Sequence, residues 1–411
     1  MNPFLYQFFV IIYSLGIHIA ALWNDKARHW VAGRKYFPSF SPAQKRIWVH
    51  CASLGEFEQG RPIIEALRLT YPHYEIVLSF FSPSGYEIRK NYAGVDRVIY
   101  LPSDTKKNAN KLIKEMQPNL VVWVKYEYWY HYLTTLKEQQ IPVLLVSANF
   151  RKSQPFFSGN SFWKKILHSF AHIFVQQANS SQLLANIGFD GNVTIAGDTR
   201  FDRVLTVAQG TEKISTIENF IQQKTTIVAG STWKADEQLL AVYMQKHPQY
   251  QLIIAPHEIH SQHINDLLKL FPNAYLYSKM GDSTTAKTSN ILIIDNIGML
   301  SKLYRYGHLT YVGGGFNPSG IHNILEAAVF GKVVVFGPNY EKFAEAKALV
   351  EAGAAFSIND VLGFEKIATS LLANPQLLAS KNTVAKKYIE ENAGATKKIM
   401  DYIYAKRLLT N

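Results

Sequence analysis

Short apolar runs separated by helix-patterned stretches recur along most of the chain, and that alternation leaves little choice of fold. In the first half the runs are IWVHCA (47–52), EIVLSFF (75–81), RVIYLP (97–102), LVVWVK (120–125), VLLVSANF (143–150), HIFVQQ (172–177) and VTIAG (193–197). In the second they are TTIVAG (225–230), QLIIAPH (251–257), ILIIDN (291–296), LTYVGGG (309–315) and VVVFGP (333–338). Runs this short and continuous suit strands covered on both faces, and the helices between them imply parallel pairing with right-handed crossovers. The expected fold is α/β, with two Rossmann-like doubly wound domains facing a cleft. The pattern weakens and turns polar from Asp202 to Lys224, which sets the junction: an N-terminal segment 1–30, a first domain 31–205 and a second 206–411. The last strong helices run from about Phe364 to Arg407, the final one available to pack back on the first domain. GDSTTAKTSN (281–290) reads as a polar loop.

Ligands of open α/β sheets bind outside the carboxyl ends of the strands, so strand ends carry the candidate chemistry. Ser53-Leu54-Gly55 makes a tight turn after the first run, and Ile63, Ile64 and Leu67 then recur at helical spacing, with Pro62 expected in the early turns. Glu56 therefore sits on a strand-to-helix corner. There the helix dipole is expected to keep its carboxylate ionised; an ordinary helix-start acid is the other reading of it. Lys125-Tyr126-Glu127-Tyr128-Trp129, Asp198-Thr199-Arg200, Ser231-Thr232-Trp233, Pro256-His257 and Gly298 close or follow other runs. Gly313, Gly314 and Gly315 let backbone approach a ligand closely, and a helix is expected to open near His322-Asn323. Asn323 and Glu326 would then share a face one turn apart. A carboxylate there suits ribose hydroxyls, or else belongs to a solvated helix face.

The net charge of +12 calls for an anionic partner, either a phosphorylated substrate or an acidic membrane surface. Nucleic acid is not expected, because no long Lys/Arg run, zinc-finger spacing or RNA-binding aromatic motif is present. Cys51 is the sole cysteine, which excludes an internal disulfide framework, and its place in a strand makes it a small core residue. With no DxD pair, histidine cluster or CxxC, a metal site is not expected; with no GxSxG, neither is a hydrolase nucleophile. The first 24 residues carry no Lys, Arg, Asp or Glu, and Phe4 to Trp23 is about long enough to cross a bilayer. Gln7, His18 and the tyrosines keep an interfacial helix and a buried core helix open as readings. The flank Lys26, Arg28, Arg34, Lys35 puts the following domain on the cytoplasmic side.

With these motifs in hand, the chain resembles the 3-deoxy-D-manno-octulosonic acid (Kdo) transferase family of lipopolysaccharide synthesis. The matches are WVHCASLGE (48–56), KYEYW (125–129), GDTRFD (197–202), the strand end at Pro256-His257, Gly298 with its neighbours, GGGFNPSGIHNILEAA (313–328) and GPNYEKFAEA (337–346). The resemblance implies a GT-B glycosyltransferase with a membrane-associating N-terminal helix. It implies CMP-Kdo as donor without a further cofactor, and inverting transfer to a phosphorylated lipid A precursor of the lipid IVA type. The implied setting is the inner (cytoplasmic) membrane, with the catalytic domains on its cytoplasmic side. By the same resemblance Glu56 looks like the general base, while Glu127 and Arg200 look like supports of the charged transition state. Pro256, His257, Ile297, Gly298, Met299, Asn323, Ile324, Leu325 and Glu326 look like the CMP contacts. Many members have Pro-Arg-His at this strand end, where this chain has Ala255-Pro256-His257 and no arginine. A UDP-sugar-dependent transferase or sugar-nucleotide epimerase would share the paired α/β architecture, as would a membrane-tethered binding module that reuses the fold.

Overall fold

The computed structural model describes residues 2–41, 44–210, 212–280 and 289–410; most of the expected 281–290 loop lies outside the described residues. The chain forms two compact units, one running to Arg203 and resuming at Ala393, the other spanning Val204–Asn392. In the first, β1 (Arg46–Cys51), β2 (Glu75–Phe80), β3 (Arg97–Tyr100), β4 (Leu120–Val124), β5 (Val143–Ala148), β6 (His172–Val175) and β7 (Val193–Ile195) form one parallel sheet. Its order is β3-β2-β1-β4-β5-β6-β7, so the progression reverses between β1 and β4. In the second, β8 (Thr226–Thr232), β9 (Gln251–Pro256), β10 (Tyr275–Leu276), β11 (Ile291–Ile293), β12 (Leu309–Val312), β13 (Val334–Phe336) and β14 (Ala355–Ser357) pair in parallel as β10-β11-β9-β8-β12-β13-β14. The reversal there falls between β8 and β12. The doubly wound architecture expected of each half is what forms.

Alternation along each strand feeds two cores. Trp48 on β1 packs with Val77, Val121 and Trp123 on one face, while Ile47 and Val49 pack with Ile76, Leu78 and Val122 on the other. Both faces are apolar, so the strands read as unbroken hydrophobic runs. Three local expectations change. The helix after β1 spans Leu54–Thr70, which puts Pro62 in its middle rather than its first turns; lacking an N–H, Pro62 gives nothing to the Glu58 carbonyl one turn back. The helix expected near His322 is a single turn, Leu325–Ala328. Arg34 is no free flanking cation: its guanidinium donates to the Leu101, Phe81 and Trp30 carbonyls and lies 3.9 Å from the Trp30 ring centroid.

The N-terminal helix, Pro3–Ala20, docks by one edge. The Tyr6 hydroxyl donates to buried Asp104 at 2.6 Å, Tyr13 stacks on Phe81 with centroids 6.3 Å apart, and Val10 is buried. Phe4, Phe8, Ile12, Leu15 and Ile19 remain exposed. The last helix, Ala395–Ala405, belongs to the first unit. Ala395, Ile399 and Ile403 join the core that holds Ile63 and Leu67, and the Asp202 carboxylate accepts the Gly394 and Thr396 N–H groups.

Candidate active site

At the β1/β4 reversal the two strand ends deliver two glutamates. Ser53 is the helix N-cap, and Glu56, three residues on, reaches back so that its Oε2 accepts the Ala52 N–H. N–H groups of Ser53 and Tyr126 and the charge of Lys125 also favour the Glu56 anion. Burial outweighs all of them and pushes the carboxyl up to about 7. The expectation that Glu56 stays ionised is thereby overturned, because a helix terminus stabilises an anion by less than losing water costs it. Glu127 leaves β4 through Lys125, whose φ of 68° is rare for a side-chain-bearing residue. The Trp123 indole N–H donates to the Glu127 carbonyl and fixes this corner. Burial, and then the neighbouring Glu56, push the Glu127 carboxyl up to about 8.

Arg200 stands after β7 and is already engaged. Its Nη2 and Nε donate to Asp198 Oδ2 at 2.8 and 3.0 Å, and its backbone N–H donates to Asp198 Oδ1 at 2.9 Å. Asp198 and Arg151 both bear on the Tyr126 phenol, which links the β4, β5 and β7 ends electrostatically. Arg151 escaped the sequence reading, although it follows a strand run and the same edge rule reaches it. Ser147, one residue before the end of β5, has φ 54° at a register shift, and Ser231, one before the end of β8, does the same with φ 52°. Bulges of this kind re-aim side chains beside ligand sites.

In the second unit His257, directly after β9, stacks on Trp233 (centroids 4.6 Å) and on His322 (4.4 Å). The Trp233 Nε1–H donates to His322 Nε2 at 3.0 Å, which requires a neutral imidazole there. Burial and the adjacent His257 lower His322 to about 4, so it is neutral at physiological pH. Asp236, also missed in the sequence, organises this corner. Its carboxylate accepts the Trp233 N–H at 2.9 Å, the Gly314 N–H at 3.0 Å and the Tyr311 hydroxyl at 2.6 Å. An acid three residues past a helix start was the available signal. The glycines serve this close packing: a Cβ on Gly313 would meet the Ser231 oxygen at 2.3 Å, and one on Gly315 the Gly337 nitrogen at 2.5 Å.

Asn323 and Glu326 do share a face, with Asn323 Nδ2 donating to Glu326 Oε1 at 3.2 Å. Ile324 and Leu325 between them are core residues, and Pro256 ends β9 in the interior. Ile297 is 87% exposed on the loop after β11; Gly298 follows at φ 92° and Met299 accepts from Asn296 Nδ2 at 3.0 Å.

Residues 28–203 match the model of the 3-deoxy-D-manno-octulosonic-acid transferase (kdotransferase) family. The chain is 27% identical over 339 residues to a bifunctional glycosyltransferase/methyltransferase of Fusobacterium nucleatum, covering 79% of this chain and 52% of that one. It is 26% identical over 366 residues to a 3-deoxy-D-manno-octulosonic acid transferase of Rickettsia felis, covering 86% and 76%. Among solved structures it is similar in fold to the UDP-GlcNAc 2-epimerase of Neisseria meningitidis, with a TM-score of 0.62, 15% identity and coverage of 88% and 100%.

Proposed function

We propose, from the match of residues 28–203 to the Kdo transferase family model, that the chain transfers Kdo from CMP-Kdo to a lipid A precursor of the lipid IVA type, with inversion. The observation that carries the reading is the Glu56–Glu127 pair at the β1/β4 reversal, one carboxyl brought to about 7 and the other to about 8. A general base works best near the ambient pH. Glu56 takes the proton of the acceptor hydroxyl as its oxygen bonds to the anomeric carbon of Kdo. The bond from that carbon to the CMP phosphate breaks, and its electron pair leaves with CMP. Attack from the face opposite the leaving group inverts the centre. Glu127, protonated, offers a hydrogen bond where charge develops, and Arg200, aimed by Asp198, meets the Kdo carboxylate. The nucleotide is assigned to the second unit, through the Asn323–Glu326 face, the strand-end residues Pro256-His257 and the loop Ile297-Gly298-Met299. The transfer so described uses no cofactor beyond its donor.

The acceptor's acyl chains and the membrane are assigned to the first unit. A cavity of about 250 Å³ is lined by Tyr6, Phe9, Val10, Tyr13, Phe81 and Trp129 among others, and Trp129 lies two residues from Glu127. The N-terminal helix docks along its length by Tyr6, Val10 and Tyr13 while presenting apolar side chains outward. That supports a helix lying in the cytoplasmic interface of the inner membrane. The test is incubation with CMP-Kdo and a tetra-acylated precursor, read by mass spectrometry, beside calorimetric titration of CMP and UDP. A Kdo adduct and selective CMP binding are expected. Selective UDP binding with no adduct would overturn the reading in favour of a UDP-sugar enzyme.

A further inference from the structure

Where β9 hands over to the helix Ser261–Leu270, three metal-ligating side chains converge that the sequence reading passed over. Glu258 and His260 stand on the loop and His263 in the first turn of the helix, in the order Glu258-Ile259-His260-Ser261-Gln262-His263. Their ligand atoms all lie within 4.8 Å of one another. The spacing has a backbone cause. His260 is the helix N-cap, and its Nδ1 accepts the His263 N–H at 3.2 Å, which holds the two imidazoles one turn apart. That bond leaves His260 Nε2 facing Glu258 Oε2 at 3.2 Å. His263 is held from behind: its Nε2 lies 2.9 Å from Oε1 of Glu237, a buried residue of the helix Lys234–Lys246. Thr232 Oγ1 fixes that carboxylate in turn at 3.1 Å. A carboxylate bonded to a ring nitrogen is the usual outer support of a metal-bound histidine, fixing its tautomer and orientation.

From this arrangement we propose that Glu258, His260 and His263 bind a divalent transition metal of the zinc type, with water completing the shell. Two imidazoles and one carboxylate suit zinc and its first-row neighbours, whereas magnesium and calcium prefer oxygen alone. The metal takes the place of the direct contact between His260 Nε2 and Glu258 Oε2. It ties the loop after His257 to the helix that follows and, through Glu237, to the helix Lys234–Lys246. The inference does not depend on the identity of the sugar or nucleotide.

The experiment is calorimetric titration of zinc chloride into the full chain, with thermal unfolding followed in parallel and cobalt substitution read by visible absorption. One equivalent is expected to bind and raise the unfolding temperature, because it binds only the folded state. Cobalt should give the absorption of a four-coordinate nitrogen–oxygen site. His260→Ala, an exposed position that spares the core, and His263→Ala should each weaken binding by roughly 10- to 100-fold, and Glu258→Gln should weaken it less. His73→Ala, an exposed histidine on another segment, serves as control and should change nothing. Undiminished binding in His260→Ala and Glu258→Gln would overturn the proposal. So would wild-type binding no tighter than that of the His260→Ala/His263→Ala double variant.

Discussion

Glu56 acts on Glu127, its counterpart on the neighbouring strand end: burial, and then the presence of Glu56, drive the Glu127 carboxyl up to about 8, while Glu56 itself stands at about 7. Glu56 loses its proton first, while Glu127 is still neutral, so the repulsion falls on the second ionisation. Turnover should therefore rise with pH through a limb near 7 as the base loses its proton. Glu56→Gln should remove the limb and lower turnover by roughly 10²-fold or more. Glu127→Gln should leave the limb near 7, because Glu127 is still uncharged when Glu56 ionises. A limb displaced by Glu127→Gln would mean that the two carboxyls ionise in the opposite order.

The same shift has a stability consequence of definite sign. A carboxyl raised from 4.5 to about 7 by folding is still protonated in the native chain when the unfolded chain has ionised. Through Glu56 the wild type should lose stability between those two values as pH rises, and Glu127, raised to about 8, extends the loss to that pH. Glu56→Gln should make the slope between 4.5 and about 7 shallower. Urea midpoints from pH 4 to 8 would check it, and parallel curves for the two proteins would refute it.

Asp104 offers a complementary case. Burial raises it to about 6, and the Tyr6 hydroxyl favours its ionised form, as do the His131 and Tyr132 N–H groups. Tyr6→Phe should destabilise the first unit by about 1–3 kcal/mol at pH 8, where the carboxylate is charged, and by less at pH 5. Equal losses at both values would mean that the bond contributes little to holding the N-terminal helix.

In the second unit Glu326→Ala should weaken CMP binding by about 1–3 kcal/mol and leave acceptor affinity nearly unchanged. The motivation is the shared face with Asn323, closed by a 3.2 Å hydrogen bond. Calorimetry with CMP decides it; wild-type affinity would assign this glutamate to structure alone.

Two glycines should respond in opposite ways. Gly313→Ala forces a Cβ to 2.3 Å from the Ser231 backbone oxygen, and should cost on the order of 3 kcal/mol or more. Gly55 lies in the helix after β1 with no atom within 4 Å of the added carbon. Gly55→Ala should be neutral or stabilise by up to about 1 kcal/mol. Thermal unfolding of both variants checks the contrast, and similar shifts would contradict it.

Most strands were legible because burial on both faces writes itself into the sequence as a continuous apolar run, as in Ile47–Ala52 and Val143–Ala148. β10 and β14 were not: a pair or triplet of residues, partly exposed, is too short to carry a period. The position of Glu56 at a strand end was readable, but its proton affinity was not. That depends on Tyr126 and Lys125 closing over it from a strand distant in sequence. The glycine run Gly313–Gly315 suits close approach of a ligand, but the sequence says nothing of its close neighbours Ser231 and Gly337, which only the sheet order brings alongside. The histidine cluster stayed hidden for a related reason. Its three members straddle a loop and a helix start, and its outer support, Glu237, comes from another segment.

The return of Gly394 and Thr396 to Asp202, and of Ile399 and Ile403 to the core beside Ile63, fixes an order of events during synthesis. When the ribosome has made all seven strands of the first sheet, one flank of that sheet still lacks its cover. The whole of Val204–Asn392 must emerge before the missing helix does. The second unit has every residue it needs earlier, in one uninterrupted stretch. It is therefore positioned to finish first, while its predecessor waits with an apolar flank open to chaperones or to stray partners.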